Sequence, residues 1–450
     1  MTISMHTRIL SRSLLAAFAL VGAVALPAAP ELRDTVRAKV AAEYPSLRAI
    51  YEHLHANPEL SFMEVNTAAL VAKELRALGI EVTEKVGNTG VVGVLRNGPG
   101  PTVLIRTDMD ALPVKEEVPV PYASKAVVKD LMGRDQPAMH ACAHDMHVTS
   151  LIGSARTLVA LKNQWSGTIV FVAQPAEEIV SGARAMLADG IYTRFPHPDF
   201  ALALHVSSWR PAGVIGQTEG PATASSTSVD ITVRGVGGHG SAPHTTKDPI
   251  VLAAQIVVAL QTIVSREVKP GTPAVVTVGT IRGGTKRNII SEEVKLELTL
   301  RCFDDKVAEQ LVTAIKRICA GTAAAAGVPE DRMPVVTVTP ESAPVMVNTA
   351  ELTRRLTGTF TGWFGSAGVE ALPPTTGAED FSEFGRTLPK VPLFMWWVGA
   401  ADPAKFAAAE KAGRQLPSNH SPVAAFQPEP TLEVCVTSTT AAVLDLLGKK

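Results

Sequence analysis

Thr102-Val103-Leu104-Ile105-Arg106-Thr107-Asp108-Met109-Asp110 decides the fold. A short apolar run ends abruptly in two acids. Such a run reads as a strand buried on both faces. The pattern recurs. Thr168 to Ala173 is apolar and ends in Gln174-Pro175-Ala176-Glu177-Glu178, and Phe200 to Leu204 ends in His205. Gly90 to Leu95 alternates weakly as a further strand. Helical stretches separate these runs, among them Leu151 to Leu161 and Gly182 to Asp189. Strand and helix alternate, so the expected class is α/β, with a mostly parallel sheet covered on both faces. Asp108, Asp110, Glu177, Glu178 and His205 all fall just past the C-terminal ends of strands. Ligands of open α/β sheets bind at that edge. Each acid taken singly could be a solvated loop residue; the coincidence across three strands argues against that.

Met139-His140-Ala141-Cys142-Ala143-His144-Asp145-Met146-His147 adds a thiol and three imidazoles. Few short windows carry so much capacity for a transition metal. Helical spacing follows at Val148, Leu151, Ile152, Ala155, Leu158 and Val159, with Asp145 the expected N-cap. Cys142 and His144 can converge in the turn before that helix, where the dipole favours the Cys142 thiolate. His140 and His147 are further candidates, His147 more as a packing residue. His53 and His55 read as ordinary residues of a helical region from Glu31 to Leu78.

From Ser225 the pattern changes. Thr227 to Arg234 alternates as a strand, followed by Gly235-Val236-Gly237-Gly238-His239-Gly240-Ser241. Asp248 to Val264 reads as a helix, Ala274 to Ile281 and Val294 to Arg301 as strands, Asp304 to about Ala320 as a helix, and Val335 to Thr339 as a strand. That order, β-α-β-β-α-β, is ferredoxin-like. The boundaries expected are a signal peptide at 1–29, a catalytic domain at 30–223 and 340–450, and an inserted α+β lid at 224–339. The returning segment carries Thr376-Gly377-Ala378-Glu379-Asp380-Phe381 and Ser418-Asn419-His420-Ser421-Pro422, and closes on a helix from Thr431 to Leu447.

A chain of 450 residues exceeds one core, and a net charge of −1 with no basic cluster excludes a nucleic-acid partner. Arg8 and Arg12, the apolar run Leu14 to Leu26 and the small residues after it read as an export signal. The expected location is periplasmic or secreted, with no stable membrane partner beyond the signal; an uncleaved anchor is the alternative. Cys142, Cys302, Cys319 and Cys435 lack the spacing of a disulfide framework.

Together these motifs resemble the aminoacylase and carboxypeptidase amidohydrolases, in the branch of hippurate hydrolases and indole-acetyl-amino-acid hydrolases. The resemblance rests on Arg106 to Pro113, Met139 to Cys142 with His144-Asp145, Gln174 to Glu178, Gly237 to Gly240, Gly377 to Phe381, and Asn419-His420. It implies two divalent metal ions, zinc or manganese first, with cobalt or nickel as alternatives. It implies Cys142, His144, Glu178, His205 and His420 as their ligands and Glu177 as general base. Spacing alone does not decide which glutamate does which. The resemblance also places Asp110, and Asp108 with it, behind the ligands. It implies a homodimer through residues 224–339, with His239 supplied by the partner's lid, and it sets Asn288 against the substrate carboxylate. Arg287 offers that group a bidentate donor, or is a solvated hairpin residue.

The sequence departs from this branch in three places. Ala143 and Met146 stand where glycines are usual, and Ile179-Val180-Ser181 delay the glycine at Gly182. The wider family has His where Asp108 stands. The substrate expected is an N-acyl amino acid or small peptide, cut at the amide bond. The competing readings are a periplasmic metal-containing binding protein without turnover and an amidase using the Cys142 thiol as nucleophile.

Overall fold

The computed structural model describes residues 30–449; the signal expected at 1–29 lies outside them. An eight-stranded mixed sheet organises the larger domain. Its order is Glu81–Val86, Gly90–Asn97, Gly167–Gln174, Thr102–Asp108, Phe200–Pro211, Leu393–Ala401, Ile215–Gln217 and Val369–Ala371. The four central strands are mutually parallel. Gly90–Asn97 runs antiparallel to them and forms a hairpin with the edge strand Glu81–Val86, and Ile215–Gln217 is antiparallel on the other side. The parallel strands are nearly continuous apolar runs because helices cover both faces: Val103, Leu202 and Phe394 are fully buried. On one face, helices Pro30–Ala56, His144–Ala160 and Pro428–Leu447 pack together and share a core with Leu47, Leu151 and Val436.

The inserted unit has a four-stranded antiparallel sheet. Its order is Ala274–Gly283, Glu293–Cys302, Thr227–Arg234 and Val335–Val338. Numbered along the chain that is 2-3-1-4, the ferredoxin-like arrangement. Helices Pro249–Thr262 and Asp305–Ala325 cover one face. The chain enters and leaves this unit side by side, through a bridge between Ser226 and Ala343.

Three local expectations are corrected. The first helical region is two helices, Pro30–Ala56 and Val65–Ala77, with a break in which Phe62 takes a φ of 61°. Gly321, expected to stop the second lid helix, does not: of the two courses open to the alanines Ala323 to Ala326, helix or loop, the helix continues to Ala325, since an exposed glycine weakens a helix without ending it. Asp145 is no N-cap. Ala143, in the left-handed region at φ 64°, starts the helix, and the Asp145 carboxylate turns away to His55.

Candidate metal centre

Past the C-terminal edge of the parallel strands, five side chains from four segments converge. The sulfur of Cys142 stands 3.5 Å from His205 Nε2 and 3.2 Å from His420 Nε2. His420 Nε2 is 3.5 Å from Glu178 Oε2, and His144 Nε2 is 3.8 Å from Glu178 Oε1. Two groups of potential ligands contain the thiol, Cys142 with His144 and His205, and Cys142 with Glu178 and His420; three more adjoin them, Asp108 with His144 and His147, His144 with Glu177 and Glu178, and Glu177 with Glu379 and Asp380, and within each the donor atoms lie within 4.8 Å of one another.

The donors fit divalent cations. His144 Nδ1 and Nε2 and Glu178 Oε1 are buried without a hydrogen-bond partner. Buried polar atoms are rarely left so unless something else binds them. His205 donates from Nδ1 to the Val206 carbonyl at 2.9 Å, which fixes the tautomer and leaves Nε2 as a lone-pair donor. Burial, and then His147, hold its imidazole well below the usual histidine range. A thiolate, imidazoles and a carboxylate suit zinc and neighbouring divalent metals.

Burial pushes the Cys142 thiol up, and the Glu178 carboxylate pushes further. Burial thus works against the thiolate that the helix end favours. A cation at the sulfur is what would deprotonate it. Burial also raises Glu178, to about 8, and raises Glu177, where Glu379 and Glu178 add to the effect.

Other acids shape the turn that carries the two glutamates. Asp110 accepts hydrogen bonds from the Glu177 and Glu178 amides, at 3.1 and 2.9 Å, and from Ser61 Oγ at 2.6 Å; it also stands 3.4 Å from His144 Nδ1. Glu64 accepts from the preceding amide, that of Ala176, at 2.8 Å. Two carboxylates thus hold three successive N–H groups. Ala176 and Val180 have φ values of 52° and 45°, and His420 of 71°. Left-handed non-glycine residues, a β-branched one above all, concentrate where a site over-determines the backbone. Gly182 is required there: a Cβ on it would lie 1.5 Å from the Pro175 carbonyl oxygen.

Arg106 sits behind the cluster, fully buried. It donates to Gln174 Oε1 at 2.9 Å, Asp108 Oδ2 at 2.7 Å, Glu379 Oε1 at 2.8 Å and Asp380 Oδ1 at 3.2 Å. Asp108 also accepts from His147 Nδ1 at 2.6 Å, while His147 Nε2 accepts from the Val206 amide. Both His147 nitrogens are therefore committed. His140 has both ring nitrogens buried without partners, is pushed down to about 4 by burial, and joins none of the ligand groups among the described residues.

A cavity of about 800 Å³ opens on the cluster. Cys142, Glu177, Glu178, His205 and His420 line it, with Trp209, Trp397 and, from the lid strands, Ser228, Thr299 and Arg301. His239, Arg287 and Asn288 do not line it. They lie together elsewhere on the lid, where His239 pairs with Ile289 and the Gly240 amide bonds to the Asn288 carbonyl. The cation that this chain itself turns to the cavity is Arg301, which in the sequence is one position of an ordinary alternating strand.

Five convergent metal donors, with a further carboxylate beside them at the edge of an α/β sheet, define a metal-dependent hydrolase of amide bonds. Residues 104–412 match the profile of peptidase family M20/M25/M40, and the chain belongs to that family. It is 38% identical over 376 residues to thermostable carboxypeptidase 2 of Saccharolobus solfataricus, which covers 83% of this chain and 88% of that protein. It is 40% identical over 277 residues to a hippurate hydrolase of Campylobacter jejuni, covering 61% of this chain and 69% of that one. A dinuclear metal-binding M20 peptidase of Bacillus subtilis superimposes with a TM-score of 0.71 at 27% identity, over 90% of this chain and 99% of that one.

Proposed function

We propose that the protein is an exported amidohydrolase that cleaves N-acyl amino acids or small peptides at the amide bond before a C-terminal amino acid. In this reading Cys142, His144, Glu178, His205 and His420 hold two divalent ions, with zinc or manganese preferred and cobalt or nickel accepted. The observation that carries it is the sharing of the Cys142 sulfur by two ligand groups, with the Glu177 carboxylate, which belongs to neither of those two, close beside them.

Divalent ions held there would supply a water acidic near neutral pH and positive charge for the substrate's carbonyl oxygen. Glu177 lies 3.9 Å from His144 Nε2 and faces the cavity. Its carboxylate takes a proton from the attacking water and returns it to the leaving amine nitrogen. Burial and the neighbouring Glu379 raise its proton affinity, which favours acceptance of the water's proton. Asp110 and Glu64 fix the backbone on which Glu177 stands. Arg301 is placed to receive the substrate's carboxylate from the lid side. His239, with Asn288 and Arg287 beside it, reaches the reacting carbonyl and the carboxylate from a second subunit, through a dimer formed by residues 224–339.

The thiol-amidase reading is weakened by the raised Cys142 proton affinity, and the pure binding reading by the unused carboxylate of Glu177. The test is hydrolysis of N-acyl amino acids by metal-quantified enzyme before and after chelation. Two ions per chain and activity that disappears with them support the reading. Undiminished cleavage by metal-free, folded enzyme ends it.

A further inference from the structure

A second cavity, of about 480 Å³, shares Trp209 and Ser418 with the cavity at the metal centre. Its walls are the half-buried Trp209, Phe406 and Leu416, with Arg210, Arg414 and Glu410. Aromatic rings link it to the ligands: Trp209 lies 6.4 Å from Trp397, which lies 4.8 Å from His205. The helix Pro403–Lys411 supplies Phe406 and Glu410, and the chain leaving that helix supplies Arg414.

The two arginines are not equivalent. Arg210 is held: its guanidinium lies 4.8 Å over the Trp209 ring and its Nη1 is 3.5 Å from Glu370. Arg414 is exposed, and its side chain has no ion pair or hydrogen bond among the described residues. The pocket therefore has an aromatic and aliphatic wall, Trp209, Phe406 and Leu416, and a polar rim on which the uncommitted Arg414 stands with Arg210 and Glu410. The Arg301 side of the main cavity is suited to the amino acid's carboxylate, so the pocket is left for the other half of the substrate.

We propose that this pocket is the acyl-group subsite, and that it takes a flat apolar acyl group bearing its own carboxylate at the far end. The inference rests on the amide-hydrolase reading and narrows it. The pocket buries the apolar body against Trp209 and Phe406. Arg414 meets the distal carboxylate through a charge-assisted, bidentate contact. A free peptide would bring an ammonium group to the same region, where the two arginines outnumber the single carboxylate of Glu410. N-acyl amino acids with anionic acyl groups are thus favoured over free dipeptides.

The test compares 4-carboxybenzoyl-glycine, benzoyl-glycine, acetyl-glycine and phenylalanyl-glycine on the metal-loaded enzyme. The expected kcat/KM order places the carboxybenzoyl compound about tenfold above the benzoyl one, the worth of one contact to a charged group. Phenylalanyl-glycine comes below both. Arg414→Gln should collapse the carboxybenzoyl-to-benzoyl ratio towards unity, and Phe406→Ala should lower the benzoyl-to-acetyl ratio. Calorimetric binding of 4-carboxybenzoate and benzoate gives the same comparison without turnover. Equal binding of the two acids, or a preference that survives Arg414→Gln, overturns the proposal even if every amide is cleaved. Failure to cleave any of the four would instead strike the amide-hydrolase reading, and the binding ratio would still decide the subsite.

Discussion

The sheet edge of the larger domain and the outer surface of the lid break the usual rules in opposite directions. At the sheet edge, Asp108, Asp110, Glu64, Arg106 and Asp380 are charged or ionisable side chains with almost no exposure. On the lid, Val258 is 71% exposed, Ile281 55% and Val251 54%. Val251 and Val258 lie on the helix Pro249–Thr262, and Ile281 on the lid sheet's edge strand Ala274–Gly283. One region hides charge and the other shows grease. Each is chemically incomplete alone. Buried carboxylates and unpartnered imidazoles call for cations. An exposed apolar helix beside an open strand edge calls for a covering surface. The first lack fits metal ions; the second is where the proposed dimer would close.

The comparison breaks most sharply at Glu177. If it is the proton carrier, Glu177→Gln keeps its volume and removes its basicity. We expect kcat to fall by about 10²- to 10⁴-fold, the usual range for general acid–base catalysis. Metal content should stay at the wild-type value. Turnover near wild type in a metal-replete variant would remove Glu177 from the chemistry. A parallel loss of metal would make it a ligand instead.

Arg106→Met asks what holds the buried acids when no ion is bound. Asp108, Glu379 and Asp380 would then face one another without their cation. Breaking a buried pair in this way costs about 3–5 kcal/mol. The chemical-denaturation midpoint of the metal-free protein should drop accordingly. An unchanged midpoint would mean that the acids are protonated and need no counter-charge. Burial does raise Asp380, to about 7.

Glu177, Glu178, His205 and Cys142 were legible in the sequence because each signal is local. An apolar run that stops at an acid, or a thiol two residues from an imidazole, needs no partner to be noticed. The inserted unit was legible from strand and helix periods alone. Arg106 and Glu379 were visible only as parts of motifs and Glu64 not at all, and the work of all three was hidden. What they do depends on neighbours remote in sequence: Arg106 meets residues 273 and 274 positions away, and Glu64 a backbone amide 112 positions away. The Asp145 expectation failed for a related reason. A helix start preceded by Asp suggests a cap, but the left-handed Ala143 and a buried histidine from another helix took the carboxylate elsewhere. The edge hairpin strand Glu81–Val86 escaped notice because its mostly exposed face carries no apolar alternation.

The lid side is tested by Val258→Asp. In the single chain this residue faces solvent, so the variant should melt like the wild type. In a dimer sealed through this helix, it would bury an unpaired charge. We expect sedimentation to shift from dimer to monomer, and activity to fall with it because His239 would no longer reach the partner's site. A monomeric variant of full activity would separate the lid surface from catalysis.

His55 offers the finest distinction, because it belongs to the buried-charge region but touches no ligand atom. Read from sequence as an ordinary helix residue, it donates to Asp145 at 2.6 Å and to Glu116 at 3.0 Å and is almost wholly buried. Burial opposes its charge, but the two carboxylates outweigh burial and raise it from 6.5 to about 10. The folded state therefore binds the proton more tightly than the unfolded chain. Below pH 6.5 both states are protonated and the full stabilisation is present; it drains away as the pH climbs from 6.5 to about 10. His55→Gln keeps a donor but cannot titrate. The wild-type melting temperature should fall more steeply than the variant's across that window, by about 2–4 °C for each kcal/mol lost in a protein of this size. Parallel curves would show that the Asp145–His55–Glu116 bridge is neutral, and that the charge hidden in this region ends at Arg106 and the metal ligands.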